Sequence, residues 1–235
     1  MLSDDIRAYL LPQAFNAAVR AGWEIMEVYK SRESYDISVK SDSTPITLAD
    51  RLAHEKIKES LGQTRIPILS EEGREMLYDE RRNWELFWLV DPLDGTVEFI
   101  KGNNEFTVNI ALMLNRICVC AVVYVPYLEK AYVASREVGS FLIEGVAPSA
   151  DAAYSYEDIC ARKQRLPLES SNHSSYRIAS RISAKPLVLS LGCGIYRFFQ
   201  AIYVLYDSHK FYRIVPDIPV FFLLTVNPMQ VYPFF

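Results

Sequence analysis

The chain has 235 residues, half of them hydrophobic, and a formal net charge of −4. That length allows a sizeable core in one large domain or two small ones, and the acidic balance leaves no electrostatic footprint for a nucleic-acid polymer. Its four cysteines, Cys118, Cys120, Cys160 and Cys193, lack zinc-ligand spacing. Cys118 and Cys120 are two apart in an expected strand, so they should point the same way and make a poor disulfide. Reduced, buried thiols in a cytoplasmic protein are the expected state. Asp4 and Asp5 near the N-terminus, with no basic stretch before them, do not read as a secretory signal.

In chain order, Ser3 can cap a short helix. Pro12 suits the first turn of a longer helix reaching about Tyr29. Phe15, Val19, Trp23, Met26 and Tyr29 recur at three- and four-residue spacing and predict one core-facing side. Ile37 to Lys40 predicts a short strand. A loop carrying Asp42 leads to Thr47-Leu48-Ala49-Asp50, where Thr47 and Asp50 have the spacing of a capping box for a helix from Leu48 to about Leu61. Ile66 to Leu69 predicts a strand ending in Ser70-Glu71-Glu72-Gly73. Arg74 to Glu85 is charged and polar and reads as loop-like or weakly helical, a surface loop by default with a flap as the alternative.

Phe87 to Val90 are apolar without alternation, as in a strand buried on both faces. Pro92 should stop this strand near Asp91. Asp94-Gly95 is turn chemistry, with Gly95 free to take positive φ. Asp91 and Asp94 therefore converge in a tight turn with Thr96 beside them. Two carboxylates at such range repel unless a cation lies between them, and a hard ion such as Mg²⁺ takes oxygen ligands of this kind.

Further on, Phe106 to Met113 and Ile117 to Val125 predict a hairpin, followed by short strands at Lys130 to Ser135 and Ser140 to Ile143 around Gly139. Residues 145–175, rich in Ala, Ser, Pro and charge, read as a connector. His54, His173 and His209 read as surface or structural residues.

Asp-Pro-Leu-Asp-Gly-Thr (residues 91–96) after an apolar strand resembles the signature of the inositol monophosphatase superfamily of Mg²⁺-dependent, lithium-sensitive phosphatases. Val97-Glu98-Phe99-Ile100-Lys101 and Asn104 to Leu112 look like its CysQ-type 3'(2'),5'-bisphosphate nucleotidase branch, whose substrate arises in sulfate assimilation. The resemblance runs from about the N-terminus to Arg181, and Tyr176 to Arg181 looks like the strand that opens the family's second half. It implies an α/β fold layered α-β-α-β-α. Residues 1–145 would form the metal-binding half, 146–181 a connector and the start of the second half, and 182–235 an aberrant tail.

The resemblance also implies site roles. Glu71, Asp91, Asp94 and the Leu93 carbonyl would hold Mg²⁺, with Glu72 in support. Thr96 and Asp50 would activate water, with Asp42 assisting, although a helix cap alone would also account for Asp50. Backbone N–H groups of Gly95 and Thr96 would bind substrate phosphate. The implied substrate is a small phosphorylated nucleotide, 3'-phosphoadenosine 5'-phosphate. An inositol phosphate is the alternative.

The last fifty residues are different material. From Pro186 onward only Arg197, Asp207, Lys210, Arg213 and Asp217 are charged, no Glu follows Glu169, and twelve of the thirty aromatic residues lie there. Leu187 to Tyr206 nearly has membrane-span length, but Gly192 and Gly194 interrupt it. Arg197 at its middle would cost about 2.5 kcal/mol or more in a bilayer. An unusual native second half, a membrane or partner contact, and out-of-frame translation after a frameshift near Arg181 all remain open. The third accounts for the composition break and the loss of motifs together. Family members carry a later Trp-Asp pair that completes the second metal site and a Gly-Ser-Ser-x-Lys-Phe stretch that holds the nucleotide; neither occurs here.

Overall fold

The computed structural model describes residues 9–31, 38–39, 45–74, 76–115, 117–135 and 139–165. Asp42, the strand expected at Tyr176 to Arg181, and the tail lie outside the described residues. The first helix, α1, spans Leu11–Ser31. Its buried surface is wider than one stripe: Phe15, Val19 and Met26 are buried as expected, but so are Ala14, Ala17, Ala18, Ala21, Ile25 and Val28. Trp23 and Tyr29 are only half-buried. A run of small residues lets this helix lie close to its neighbours on several sides. Strands β1 (Ser38–Val39) and β2 (Pro45–Ile46) pair antiparallel and lead into α2 (Leu48–Gly62).

Seven strands form the main sheet, in sequence order from β3 to β9: β3 (Ile68–Ser70), β4 (Leu86–Asp94), β5 (Thr107–Leu114), β6 (Ile117–Val125), β7 (Lys130–Ser135), β8 (Gly139–Glu144) and β9 (Gln164–Arg165). Among the described residues, only β3 and β4 run parallel; the remaining neighbours are antiparallel. This is the expected helices-then-sheet α/β order. Helix α1 packs on β5 and β6, and α2 packs on α1 and β4. Short helices α3 (Tyr78–Arg81) and α4 (Thr96–Lys101) flank β4. The segment read as a connector carries a further helix, α5 (Tyr156–Arg162), opened by a Ser155/Asp158 capping box. Val146, Ala152 and Ile159 join the core, and Asn16 of α1 exchanges hydrogen bonds with the Tyr154 backbone at 2.9 and 2.8 Å.

The sheet is apolar on both faces. Trp88, Val90, Val108, Ile110, Leu112, Val122 and Tyr124 share a core with α1 and α2. Leu89, Ala111, Met113, Ala121, Val123 and Val125 form a second buried cluster with Leu69, Phe87, Leu128 and Tyr132. That explains why these strands read as continuous apolar runs rather than alternating ones.

Two local expectations are corrected. Strand β4 does not stop at Asp91 but continues through Pro92 to Asp94. Its pairing with β5 jumps from Asp91↔Asn109 to Asp94↔Thr107, so one extra residue is bulged out around Pro92 and Leu93. On its other side, β3 has already ended opposite Val90. Pro92 thus falls where no ladder bond is demanded of its missing N–H. Cys118 and Cys120 also do not share a face. Leu112 pairs with Cys120 but Met113 pairs with Cys118, so Val119 is an extra residue. This second bulge puts Cys120 in the helix-side core and Cys118 against the opposite cluster. Burial pushes the Cys118 thiol up to about 12, which leaves it protonated and unreactive.

Gly22 shows how closely α1 is seated. A Cβ there would stand 2.3 Å from Tyr124 Cε1 and 3.1 Å from Pro126 Cβ. Tyr124 cannot readily yield, because its buried hydroxyl donates to the Val146 carbonyl at 2.7 Å. Gly22→Ala is therefore expected to lower stability by about 1–3 kcal/mol, read as a lower urea midpoint. Among the described residues, no helix is long and apolar enough to cross a membrane.

Candidate active site

The parallel pair places two acidic residues side by side. Ser70 pairs with Val90, and the Glu71 N–H donates to the Val90 carbonyl at 3.0 Å. Glu71 and Asp91 therefore stand side by side at the same level, at the carboxyl end of the parallel β3–β4 pair. Open α/β sheets bind ligands at such carboxyl ends. The bulge after Asp91 then turns the chain so that Asp94 rejoins the ladder opposite Thr107.

Gly95 makes the next turn possible. It caps α4 in the left-handed region at φ +94°, and an added Cβ would stand 2.7 Å from the Glu105 carbonyl oxygen. Backbone cannot yield as a flexible side chain can, so only Gly fits there. Thr96 opens α4, and its hydroxyl lies 3.0 Å from Asp50 Oδ1 and 3.2 Å from the Leu93 carbonyl oxygen, both acceptors for its one proton.

Asp50 is wholly buried. Its Oδ2 accepts from the Thr47 N–H at 2.7 Å and the Thr47 hydroxyl at 2.5 Å, while the Asp50 N–H donates to Thr47 Oγ1. The capping box is therefore real, and so is the contact with Thr96, because the two carboxylate oxygens divide the tasks. Burial raises the Asp50 pKa above its ordinary value despite hydrogen bonds that pull it down. A carboxylate raised in this way is a better proton acceptor.

Asp91 is the electrostatic centre. Burial first, then the charges of Asp94 and Glu71, push its pKa well above the ordinary carboxylate value. Its Oδ1 is enclosed and has no hydrogen-bond partner. A buried carboxylate oxygen without a donor, facing other acidic groups, is costly unless a cation completes it. The donors here are all hard oxygens, as Mg²⁺ prefers. The residues present thus fit a Mg²⁺ site, although among the described residues no three of His, Cys, Asp or Glu close into a ready-made metal cage.

The structure therefore groups Glu71, Asp91 and Asp94 as one electrostatic cluster and brings Leu93, Gly95, Thr96 and Asp50 together beside it. It also shows residues that the sequence reading passed over. Asn109 Nδ2 donates to Asp94 Oδ2 at 3.1 Å, and the Thr107 hydroxyl donates to Asn109 Oδ1 at 3.1 Å. Two polar side chains in an otherwise apolar strand were the available signal. His54 lies one turn after Asp50, with its Nδ1 2.9 Å from Ser70 Oγ. Burial lowers its pKa, which favours a neutral ring bracing the end of β3 just before Glu71. In contrast, Phe99, Asn104 and Phe106, within the branch-like stretches, pack on α1. Tyr29 lies 5.2 and 4.9 Å from the Phe99 and Phe106 rings, and its hydroxyl donates to Asn104 Oδ1 at 2.6 Å.

Comparison with known proteins agrees with this geometry. The profile of the inositol monophosphatase family matches residues 7–193, past the Arg181 limit of the motif reading. The 3'(2'),5'-bisphosphate nucleotidase CysQ of Salmonella typhimurium is 45% identical over 129 residues, 54% of this chain and 52% of that protein. The protein of the same name from Haemophilus influenzae is 33% identical over 138 residues, 58% of this chain and 51% of that one. The crystal structure of CysQ from Bacteroides thetaiotaomicron aligns with a TM-score of 0.59 at 41% identity, covering 68% of this chain and 58% of that one. The chain spans about half the length of the curated relatives it matches. With the match covering most of its length, the chain belongs to the inositol monophosphatase family.

Proposed function

We propose that this chain carries the metal-binding half of a Mg²⁺-dependent phosphomonoesterase that removes the 3'-phosphate of 3'-phosphoadenosine 5'-phosphate, giving AMP and phosphate. The observation that carries this reading is the enclosed, unpartnered Oδ1 of Asp91 among acidic neighbours, with the Thr96–Asp50 pair alongside. Glu71, Asp91, Asp94 and the Leu93 carbonyl would hold Mg²⁺. When bound, the ion polarises the phosphate and acidifies water.

Thr96 and Asp50 act together on the attacking water. Thr96 Oγ accepts the water's proton as its own hydroxyl proton passes to Asp50 Oδ1, 3.0 Å away. The buried, raised carboxylate of Asp50 is the final acceptor. The hydroxide so formed attacks phosphorus in line as the bond to the ribose oxygen breaks. That oxygen takes a proton from solvent as Asp50 later returns its own to solvent, and the Gly95 and Thr96 N–H groups would bind the phosphate oxygens. No covalent nucleophile is required. The choice of a nucleoside bisphosphate rests on the names of the relatives at 45% and 33% identity, together with the branch-like stretches. Reduced thiols at Cys118, Cys120 and Cys160 suit a cytoplasmic setting.

The test is phosphate release by the full chain from 3'-phosphoadenosine 5'-phosphate and from inositol 1-phosphate, each with Mg²⁺ and with EDTA. Release from the first substrate alone, dependent on Mg²⁺, is the expected result. Preference for the inositol ester would overturn the substrate.

A further inference from the structure

Thr107 and Asn109 are 2% and 1% exposed, in a strand whose other residues are apolar. Two apart on β5, they share one face, opposite the one whose Val108 and Ile110 join the helix-side core. Polar groups buried this deeply destabilise a sheet unless they are bonded. They are bonded in series: the Thr107 hydroxyl donates to Asn109 Oδ1 at 3.1 Å, and Asn109 Nδ2 donates to Asp94 Oδ2 at 3.1 Å. In the ladder they stand opposite the two acidic residues of β4, Thr107 opposite Asp94 and Asn109 opposite Asp91.

The order of the series matters. A primary amide has a donor end and an acceptor end. With its carbonyl turned to Asp94, Asn109 would set acceptor against acceptor. The Thr107 proton engages the carbonyl end and thereby fixes the NH₂ end on Asp94. A carboxylate with one oxygen held in this way keeps its orientation.

We infer that Thr107 and Asn109 form a relay that orients the Asp94 carboxylate for Mg²⁺, with Thr107 a positioning residue acting through Asn109. The inference rests on the proposed role of Asp94 as a ligand. Outer partners of metal-binding groups commonly set affinity by 10- to 100-fold. Thr107→Val keeps the shape and removes the proton that fixes the amide, and Thr107→Ser restores it.

The experiment is calorimetric titration of the full chain with Mg²⁺ alone, alongside melting in EDTA to confirm folding. Thr107→Val is expected to weaken Mg²⁺ binding roughly 10- to 100-fold, and Thr107→Ser to recover most of it. Asn109→Leu, which removes the donor itself, should match Thr107→Val and serves if that variant does not fold. Asp91→Asn separates the two readings. If it abolishes binding while the folded Thr107 and Asn109 variants bind as the parent does, the relay is overturned and the metal site stands. If Asp91→Asn binds as the parent does, the metal site falls, and the relay with it.

Discussion

Asp91→Asn should reduce Mg²⁺-dependent phosphate release from 3'-phosphoadenosine 5'-phosphate by at least about 100-fold, the upper end of what even an outer partner of a metal ligand costs. The same variant should melt higher than the parent in EDTA. These opposite signs follow from one feature. Asp91 keeps a carboxylate oxygen enclosed without a donor, beside Asp94 and Glu71. An unsatisfied buried acceptor costs roughly 1–3 kcal/mol, more when charged. An Asn in its place carries no charge and offers an NH₂ group to the neighbouring carboxylates. If Asp91→Asn melts lower than the parent in EDTA, the carboxylate is stabilising in itself and a cation is not what completes it.

The pH dependence of the metal-free protein has a defined sign. Burial and neighbouring carboxylates raise Asp91, and burial raises Asp50, above an ordinary value of 3.8. A carboxyl whose folded pKa exceeds its unfolded one holds more protons when folded. Its contribution is therefore fullest below the unfolded value and declines as pH rises through the folded one. In EDTA, the melting temperature should fall as pH rises above about 4 through the acid range. The fall should be shallower in Asp91→Asn. Exposed Glu80 and Asp158, lowered by Arg74 and by the Ser155 backbone, act in the opposite sense.

Much of this arrangement was legible in the sequence because it depends on local chemistry. The Thr47/Asp50 spacing marked the helix start, and Asp94-Gly95 marked the turn. The hairpin between β5 and β6 followed from two apolar runs around Leu114-Asn115-Arg116. What escaped depends on pairing between strands. Pro92 reads as a strand terminator until β5 is seen to absorb it in a bulge opposite residues 107–109, where β3 no longer runs alongside. Cys118 and Cys120 obey the two-residue rule only if the ladder is regular, and Val119 breaks it. Asn109 sits in a stretch that carries the branch resemblance but no site role, and its bond to Asp94 exists only because β5 lies beside β4. His54 reads as a surface or structural residue, but its partner, Ser70 sixteen residues away, is set by the fold.

The Thr96–Asp50 pair makes the other large prediction, because there the structural and chemical parts of one carboxylate can be separated. Asp50 Oδ2 serves the helix cap through Thr47, and Oδ1 faces Thr96. Thr96→Val removes only the second contact and nearly preserves side-chain shape. It should lower phosphate release about 10²- to 10⁴-fold, the usual worth of a positioned proton acceptor, and cost about 1–3 kcal/mol of stability by taking the Thr96 donor from the buried Asp50 Oδ1. Asp50→Asn should lower release over the same range. It should also cost roughly 1 kcal/mol of stability, because the amide weakens acceptance from Thr47 at a helix start. Thr96→Ser keeps the hydroxyl and should retain most of the activity. Release and melting, measured together on the three variants, test the division directly. If Thr96→Val melts lower but keeps its phosphate release, the hydroxyl is a structural tie between α2 and α4. If it loses neither stability nor activity, the proton from the attacking water leaves by another route.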